Sequence, residues 1–198
     1  MSTDDPSFPP SEIELALRAG LPEPLRALVK EFPRNGWEEN RNFSQLIAFW
    51  LHKHMSFRKL TDALETDALE MLDKGGNPDT YRQRLHRYAS MLIGELHGHH
   101  QIEDAHYFPV LTKLDNVAAK GFDILETDHV QMDGFLSELT ETANAVLTTK
   151  GDDKGFTDQV AGFKSSLDRF HPMLDRHLLD EEEIVVPVLL KYAPPEFR

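Results

Sequence analysis

The sequence predicts an all-α fold, an up-down-up-down four-helix bundle with an extra short helical segment at its N-terminus. Four long stretches place apolar residues in steps of three and four, which is the period of a helix that buries one face. The loops between them are shorter than the helices, and glycine, proline or asparagine marks each one. No stretch shows the sustained alternation of a strand. Long helices joined by short loops are typical of an antiparallel bundle.

The predicted domain organisation is an N-terminal extension over residues 1–40 and a bundle over residues 41–198. Residues 1–10 are acidic and rich in proline, so we expect them to be extended or disordered. Residues 11–31 hold two short helical patterns, which Gly20, Leu21 and Pro22 separate.

The four bundle helices follow in order, and their breaks are specific. We predict them near residues 41–72, 78–112, 117–149 and 155–192. Pro109 and Pro187 are expected to end or kink the second and fourth helices at matching places. Pro172 is expected to bend the fourth helix or to mark a late start.

Composition excludes several classes of function. The net charge of −13 argues against nucleic acid, which normally requires a basic surface. The absence of cysteine excludes disulfides, thiolate metal sites and cysteine nucleophiles. No apolar run reaches the ~18 residues that a membrane span needs, and no secretory signal is recognisable. We therefore expect a cytoplasmic protein with neither nucleic acid nor membrane as partner, and we keep a homodimer as an alternative to a monomer.

One arrangement of residues occurs twice. Residues 99–111, HHQIEDAHYFPVL, and residues 177–189, HLLDEEEIVVPVL, both fit His-x3-Glu-x5-Pro-Val-Leu. A spacing of four places histidine and glutamate on one face of a helix, about one turn apart. The repeat indicates that the first and second helical hairpins are two copies of one half-site.

Each of the four apolar stripes contains a histidine, and the second and fourth add a glutamate one turn later. Buried carboxylates are costly unless they are paired or coordinate a metal, and a bundle interior is where such metal sites are built. We therefore predict a shared metal site. Its predicted ligands are His54, His99, Glu103, His129, His177 and Glu181.

Two facing halves would give four imidazoles and two carboxylates, which suits two cations bridged by the acids. Mixed imidazole and carboxylate ligands favour iron, with manganese next. Zinc prefers four ligands and gains little from two bridging acids, while calcium and magnesium require oxygen-rich sites. We predict two iron ions, with manganese or zinc as substitutes.

Several neighbours are left outside the predicted site. His100 lies about 100° around the helix from His99 and is placed at the rim. His106 could act as a ligand only in a helix that stays regular to Pro109. Glu182 is expected to face solvent, although it would replace Glu181 as the bridge in a distorted helix. Asp128 is expected to interact with the dipole of the third helix near its first turn.

At four stretches the chain resembles the hemerythrin-like family, also called HHE cation-binding domains. The stretches are FWLHKHMSFRKL, HHQIEDAHYFPVL, TDHVQMDGFL and HLLDEEEIVVPVL, and the resemblance covers about residues 40–192. It implies a four-helix bundle that holds a non-heme di-iron site with histidine ligands and two bridging carboxylates. Carried over by motif, the four stripe histidines resemble iron ligands, and Glu103 and Glu181 resemble the bridges.

One departure from the family concerns oxygen carriage. Oxygen carriers of the family have a second histidine one turn after the first on the third helix, where this chain has Asp133. Asp133 could ligate iron, bind it through a water or lie outside the first shell of ligands. A more anionic ligand favours ferric iron, which argues against reversible oxygen carriage. The relatives that repair iron–sulfur centres usually carry a cysteine-bearing domain, which this chain lacks.

The predicted function is a di-iron protein that handles or senses O2, peroxide or nitric oxide in iron or redox homeostasis or stress. One alternative is a ferritin-like carboxylate di-iron oxidase. Glu103-x-x-His106 and Glu126-x-x-His129 fit that class, but His54 occupies a place where it requires glutamate. The other alternative is a regulatory module with a structural metal. The sequence shows no separate acid–base pair, so we assign no enzymatic reaction.

Overall fold

The computed structural model describes residues 8–150 and 154–197, and every regular element in these ranges is helical. The α-helices are α1 (Pro10–Ile13), α2 (Ala27–Glu31), α3 (Gln45–Lys74), α4 (Pro78–Ile102), α5 (Phe108–Leu111), α6 (Asn116–Thr148) and α7 (Lys154–Tyr192). Shorter turns of 3₁₀-helix lie at Glu23–Arg26, Arg34–Gly36 and Pro195–Phe197, and a π-helical turn lies at Glu103–Tyr107. The all-α class is confirmed. Within the part of the chain that the structure describes, no helix is long and apolar enough to cross a membrane.

Local sequence explains where the long helices begin and end. The Asn77 side chain accepts hydrogen bonds from the backbone N–H groups of residues 79 and 80, which caps α4. Asp115 caps α6 in the same way through residues 117 and 118. After α3, Gly75 adopts a φ of +69°, a left-handed conformation that glycine allows without strain.

Prolines act less strongly on the fourth long helix than the sequence suggested. α7 is continuous through Pro172 and ends five residues after Pro187, so neither the late start nor the stop occurs. A proline in a helix interior costs about 3 kcal/mol. Here the packing of residues 184–190 offsets that cost. Apart from Pro187, these residues are buried valines, leucines and one isoleucine.

The described residues form two compact units. The first consists of residues 8–54, 100–131 and 175–197. Its core takes side chains from the N-terminal segment as well as from the long helices: Leu21, Leu25, Leu28, Trp37, Ile47, Trp50, Phe108, Leu111, Phe122, Leu125, Ile184, Val185, Val188 and Leu189. The segment before α3 is therefore an integral part of this unit.

The second unit consists of residues 55–99, 132–150 and 154–174. Its buried side chains are those of the helical stripes, among them Phe57, Leu64, Leu85, Leu92, Leu96, Met132, Leu136, Leu139, Phe156, Phe163, Leu167, Phe170 and Leu174. The rings of Tyr81 and Phe156 meet edge to face with centroids 6.1 Å apart. The apolar residues that α7 places in steps of three and four are buried as expected, for example Phe163, Leu167, Phe170 and Leu174.

Candidate metal centre

Seven side chains place potential metal-ligand atoms close together in two sets. In each set the imidazole nitrogens and carboxylate oxygens lie within 4.8 Å of one another. The histidine set consists of His100, His129 and His177, and the mixed set consists of His54, His99, Glu103 and Glu181. The side chains are buried except that of His99, which is half-buried. The two sets include all six residues that the sequence singled out, together with His100.

Carboxylate oxygens connect the two sets. Oε2 of Glu181 lies 3.4 Å from Nε2 of His54 and 3.6 Å from Nε2 of His177. Oε2 of Glu103 lies 3.7 Å from Nε2 of His129. One glutamate oxygen thus stands between imidazoles of both sets.

A carboxylate on the far side orients each of three histidines. Nδ1 of His54 lies 3.0 Å from Oε1 of Glu182. Nδ1 of His129 lies 2.7 Å from Asp104, and Nδ1 of His177 lies 3.2 Å from Asp128. These contacts hold the proton on Nδ1 and leave Nε2 as a lone-pair donor, which is the usual arrangement of metal-binding histidines.

The Nε2 atoms of His129 and His177 are buried and accept or donate no hydrogen bond. A buried ring nitrogen without a partner is costly. Because their Nδ1 atoms are already held by carboxylates, these two nitrogens have the geometry and electronic state of metal ligands. The donor set therefore fits a bound cation.

Trp50 lies beside the mixed set and orients one of its acids. Its Nε1–H is 2.7 Å from Oε1 of Glu181 and 2.9 Å from Nε2 of His54. The hydrogen bond to Oε1 leaves Oε2 of Glu181 directed at the two histidines. Tyr107 packs against the indole, with ring centroids 5.0 Å apart.

The backbone of the first motif copy departs from the predicted regular helix. α4 gives way at Glu103 to a π-helical turn that continues to Tyr107 and then to α5. A π turn holds one residue more than an α turn, and such turns are frequent at functional sites. The turn keeps Glu103 and Phe108 buried on either side of it while Asp104 and His106 are exposed.

The electrostatics of the apolar surroundings favour a cation at this position. Burial raises the pKa of Glu103 well above its ordinary value, and the neighbouring Glu181 carboxylate raises it further. Burial also lowers the pKa of His177. Burial lowers the pKa of His54 too, but Glu181 and Glu182 outweigh this effect and raise it overall. Two acids in an apolar core would be stabilised by a positive ion between them.

Arginines from the N-terminal segment support the outer carboxylates. Arg18 donates Nη1–H to Oδ1 of Asp128 at 2.7 Å and forms a short contact from Nη2 to Oδ2 of the same residue. Arg34 donates to Oε2 of Glu182 at 2.5 Å. Burial raises the pKa of Asp128, but hydrogen bonds from Arg18 and His177 outweigh it and keep this pKa below its ordinary value.

The structure corrects three placements made from the sequence. His100 is buried, not at the rim, and its ring stacks on His129 with centroids 4.1 Å apart. Glu182 is buried against His54, and Asp128 is buried against His177 in the interior of α6 and not in its first turn.

Asp133 and His106 lie outside both sets. The Asp133 side chain is 58% exposed, and its Oδ1 lies 3.2 Å from Nδ1 of His97. His106 is exposed and lines a surface hollow together with Tyr107 and Phe197. The π turn accounts for His106, because the helix does not stay regular to Pro109.

Sequence reasoning missed Arg18 and Arg34 because their contacts to Asp128 and Glu182 span 110 and 148 residues. One signal was present for Arg18. It lies three residues after Leu15 and three before Leu21, on an apolar stripe whose members are all buried. An arginine on such a stripe indicates a buried ion pair.

Comparison with known proteins returned one family. The model of the Hemerythrin HHE cation binding domain matches residues 45–189, which is more than two thirds of the chain. Among curated proteins and among solved structures, no match is found.

Proposed function

Because the chain belongs to the Hemerythrin HHE cation binding domain family, we propose that it holds two iron ions and handles or senses O2, peroxide or nitric oxide. The observation that carries this proposal is the position of Oε2 of Glu181, between Nε2 of His54 and Nε2 of His177. A carboxylate shared by two sets of imidazoles is the arrangement that two bridged cations require.

The fold that we propose for this site is an up-down-up-down four-helix bundle over residues 41–198, with residues 1–40 as an extension. The order of the long helices α3, α4, α6 and α7 and the short connections between them support it. Each of these helices supplies at least one histidine to the two sets.

Each ion has its own proposed ligands. His100, His129 and His177 would hold one ion, and His54 and His99 would hold the other, with Glu103 and Glu181 shared between them. The assignment keeps the six ligands predicted from the sequence and adds His100. It leaves Asp133 out.

Iron is favoured by the chemistry of the donors. Five imidazoles with two carboxylates are too rich in nitrogen for calcium or magnesium and contain more ligands than two tetrahedral zinc ions need. Imidazole and carboxylate together suit iron, with manganese next, and manganese or zinc could substitute. Iron at this position would supply a binding place for a small diatomic or peroxide ligand.

The protein's own side chains determine what reaches such a ligand. Phe108 and Phe122 pack near His129, and Trp50 covers Glu181. These rings exclude water from the carboxylates, and the Trp50 N–H holds Glu181 in place. We expect no nucleic acid or membrane partner because the net charge is −13 and the described helices are not suited to a membrane. A homodimer stays a prediction, as does a cytoplasmic location.

The alternatives are separable from this proposal. A ferritin-like oxidase would use Glu103-x-x-His106 as a ligand pair, but Glu103 is buried while His106 is exposed. His54, where that class requires glutamate, lies in the mixed set. A module with only a structural metal would unfold on chelation and show no response to O2, peroxide or nitric oxide.

The test begins with metal content of the purified protein and its absorption spectrum, first without oxygen and then with oxygen, peroxide, azide or nitric oxide. We expect about two irons per chain and charge-transfer bands that change with the added ligand. The double variant His177→Ala, Glu103→Ala should lose this two-iron binding. His52→Ala, an exposed histidine two residues from His54, is the matched control and should keep it. Two irons in the double variant would contradict the proposal.

A further inference from the structure

Two arginines of the N-terminal segment end at the carboxylates that orient the candidate ligand histidines. Both precede residue 45, where the match to the family begins. We propose that Arg18 and Arg34 are positioning residues of the metal centre, which makes the N-terminal segment a working part of that centre. This inference rests on the proposed metal-binding function.

Arg18 reaches the histidine set through one buried acid. Its Nη1 and Nη2 atoms hold both oxygens of Asp128, and its Nε atom donates to Asp180 at 2.7 Å. Oδ2 of Asp128 in turn lies 3.2 Å from Nδ1 of His177. The three charged side chains are fully buried, so the guanidinium fork fixes the carboxylate in one orientation.

Arg34 reaches the mixed set in the same way. Its Nη2 atom lies 2.5 Å from Oε2 of Glu182, whose other oxygen lies 3.0 Å from Nδ1 of His54. The guanidinium is held over the ring of Trp37, 4.6 Å from its centroid. Nε1–H of Trp37 donates to the carbonyl oxygen of Phe32 at 2.8 Å. Each arginine therefore serves a different set of candidate ligands.

The segment is held firmly enough to act in this way. Leu21, Leu25 and Leu28 are buried in the core of the first unit. Arg176 of α7 donates to the carbonyl oxygen of Ala19 at 2.8 Å, and Arg18 donates to the carbonyl oxygen of Ile13 at 2.9 Å. Hydrogen bonds on both sides of Arg18 thus fix its backbone.

The arginines should change the electronic character of the histidines as well as their orientation. A carboxylate that accepts the Nδ1 proton makes the ring a more electron-rich ligand. An arginine on that carboxylate draws away part of its negative charge and so weakens this effect. Removing the arginine should make the ring more electron-rich and also remove a nearby positive charge. Both changes stabilise ferric over ferrous iron, so the reduction potential should fall.

The experiment compares five variants of the full chain. Arg18→Gln and Arg34→Gln remove the two proposed positioning residues. Arg176→Gln is the control for Arg18. Arg176 also binds Asp180, and it holds the N-terminal segment through the carbonyl oxygen of Ala19, but its hydrogen bonds do not go to Asp128. Arg169→Gln is the control for Arg34, because its side chain is 51% exposed against 48% and also pairs with a glutamate.

The readouts are the rate of iron release to a chelator, the midpoint potential and the melting temperature of the metal-free protein. We expect Arg18→Gln and Arg34→Gln to release iron about tenfold faster, the low end of the effect of residues beyond the ligands, and to have lower midpoint potentials. The two controls should match the wild type in the rate of iron release and in the midpoint potential. Arg18→Lys, which keeps the charge but not the fork, should fall between.

The outcomes separate this inference from the function on which it rests. A wild-type protein that binds no metal would overturn both. A wild-type protein with iron, whose release rate and potential are the same in Arg34→Gln and Arg169→Gln, would overturn the inference alone. Equal shifts in Arg18→Gln and Arg176→Gln would also overturn it, because they would trace the effect to packing of the segment. If Arg18→Gln does not fold, the comparison of Arg34 with Arg169 decides.

Discussion

The two copies of His-x3-Glu-x5-Pro-Val-Leu share a sequence pattern but not a backbone. In the first copy, the π turn begins at Glu103, and the chain returns to α-helix at Phe108. In the second copy, α7 runs without interruption from His177 past Leu189. The first copy also brings two adjacent histidines into the candidate ligand sets, whereas the second brings one.

The two copies also differ in the exposure of the acid that follows the shared glutamate. Asp104, the acid after Glu103, is 43% exposed where it meets His129. Glu182, the acid after Glu181, is buried against His54 and paired with an arginine. The acid after the shared glutamate is thus half-exposed in the first copy, and in the second it is buried in a charge pair. A repeated motif specifies which groups enter the candidate ligand sets but does not specify how each half holds them.

The sharpest test of this difference is a one-residue deletion in each copy. Deleting Glu183 should turn residues 184–190, which are buried on every face of α7, by about 100°. Each side chain would then meet packing shaped for another, a loss of about 5 kcal/mol or more. That loss rivals the whole stability of a domain, so we expect no folded protein. Deleting Ala105 should convert the π turn to an α turn while Glu103 and Phe108 stay buried.

Circular dichroism melting curves of the metal-free proteins measure both deletions. The Ala105 deletion should melt within a few degrees of the wild type, because the extra residue of the π turn is the one removed. Equal collapse of the two variants would show that the π turn is as much a part of the packing as α7, and the contrast between the copies would fail.

The next largest effect concerns the two shared acids. Glu103→Gln and Glu181→Gln should each reduce iron below two per chain, because each removes an anionic ligand from the pair. In the metal-free protein at pH 7 their effects should differ. Burial and the neighbouring acid raise the pKa of Glu103 in the folded state, so folding must neutralise or desolvate a group that is ionised when unfolded. Glu181 is stabilised by the Trp50 N–H.

Glu103→Gln should therefore stabilise the metal-free protein by about 1 kcal/mol, which raises the melting temperature by about 2–4 °C at this chain length. Glu181→Gln should give little or no increase, because the carboxylate it removes already accepts a hydrogen bond. Melting curves of the two metal-free variants and the metal-free wild type measure these changes in melting temperature. An increase for Glu181→Gln as large as that for Glu103→Gln would contradict the asymmetry.

A smaller effect is expected from the acids that orient the histidines. Glu182→Gln should weaken iron binding about tenfold to a hundredfold, the usual cost of removing an outer-shell partner. Asp104→Asn should cost less, because water can replace a half-exposed carboxylate at Nδ1 of His129. Competition with a chelator of known affinity measures both. Equal losses of iron affinity in the two variants would mean that the exposure of the orienting carboxylate does not change its contribution.

The sequence alone predicted the all-α class and six of the seven side chains that lie together in the two sets, for reasons that the motif copies make clear. A spacing of four in a helix fixes which side chains share a face, so His177 and Glu181 could be paired without a structure. The same rule put His100 at the rim, but His100 lies four residues after the buried Leu96, on the face that α4 buries. Whether these side chains bind iron stays a prediction.

Contacts that carry no local period could not be predicted. Asp128 and Arg18 are 110 residues apart, and Glu182 and Arg34 are 148 apart. Their partners depend on how the N-terminal segment packs, which short-range patterns do not determine. The sequence therefore found the groups that face the proposed ions and missed the groups that hold them in place.

The smallest expected effect belongs to Asp133, at the place where oxygen carriers of the family have a further histidine. Asp133→Ala should leave the iron content and the spectrum unchanged, because this side chain is exposed and bound to His97. By contrast, His100 and His129 are buried, and their rings stack with centroids 4.1 Å apart. His100→Ala is the matched comparison and should lower iron content where Asp133→Ala does not. Equal losses of iron in both variants, measured by elemental analysis, would return Asp133 to the ligand set.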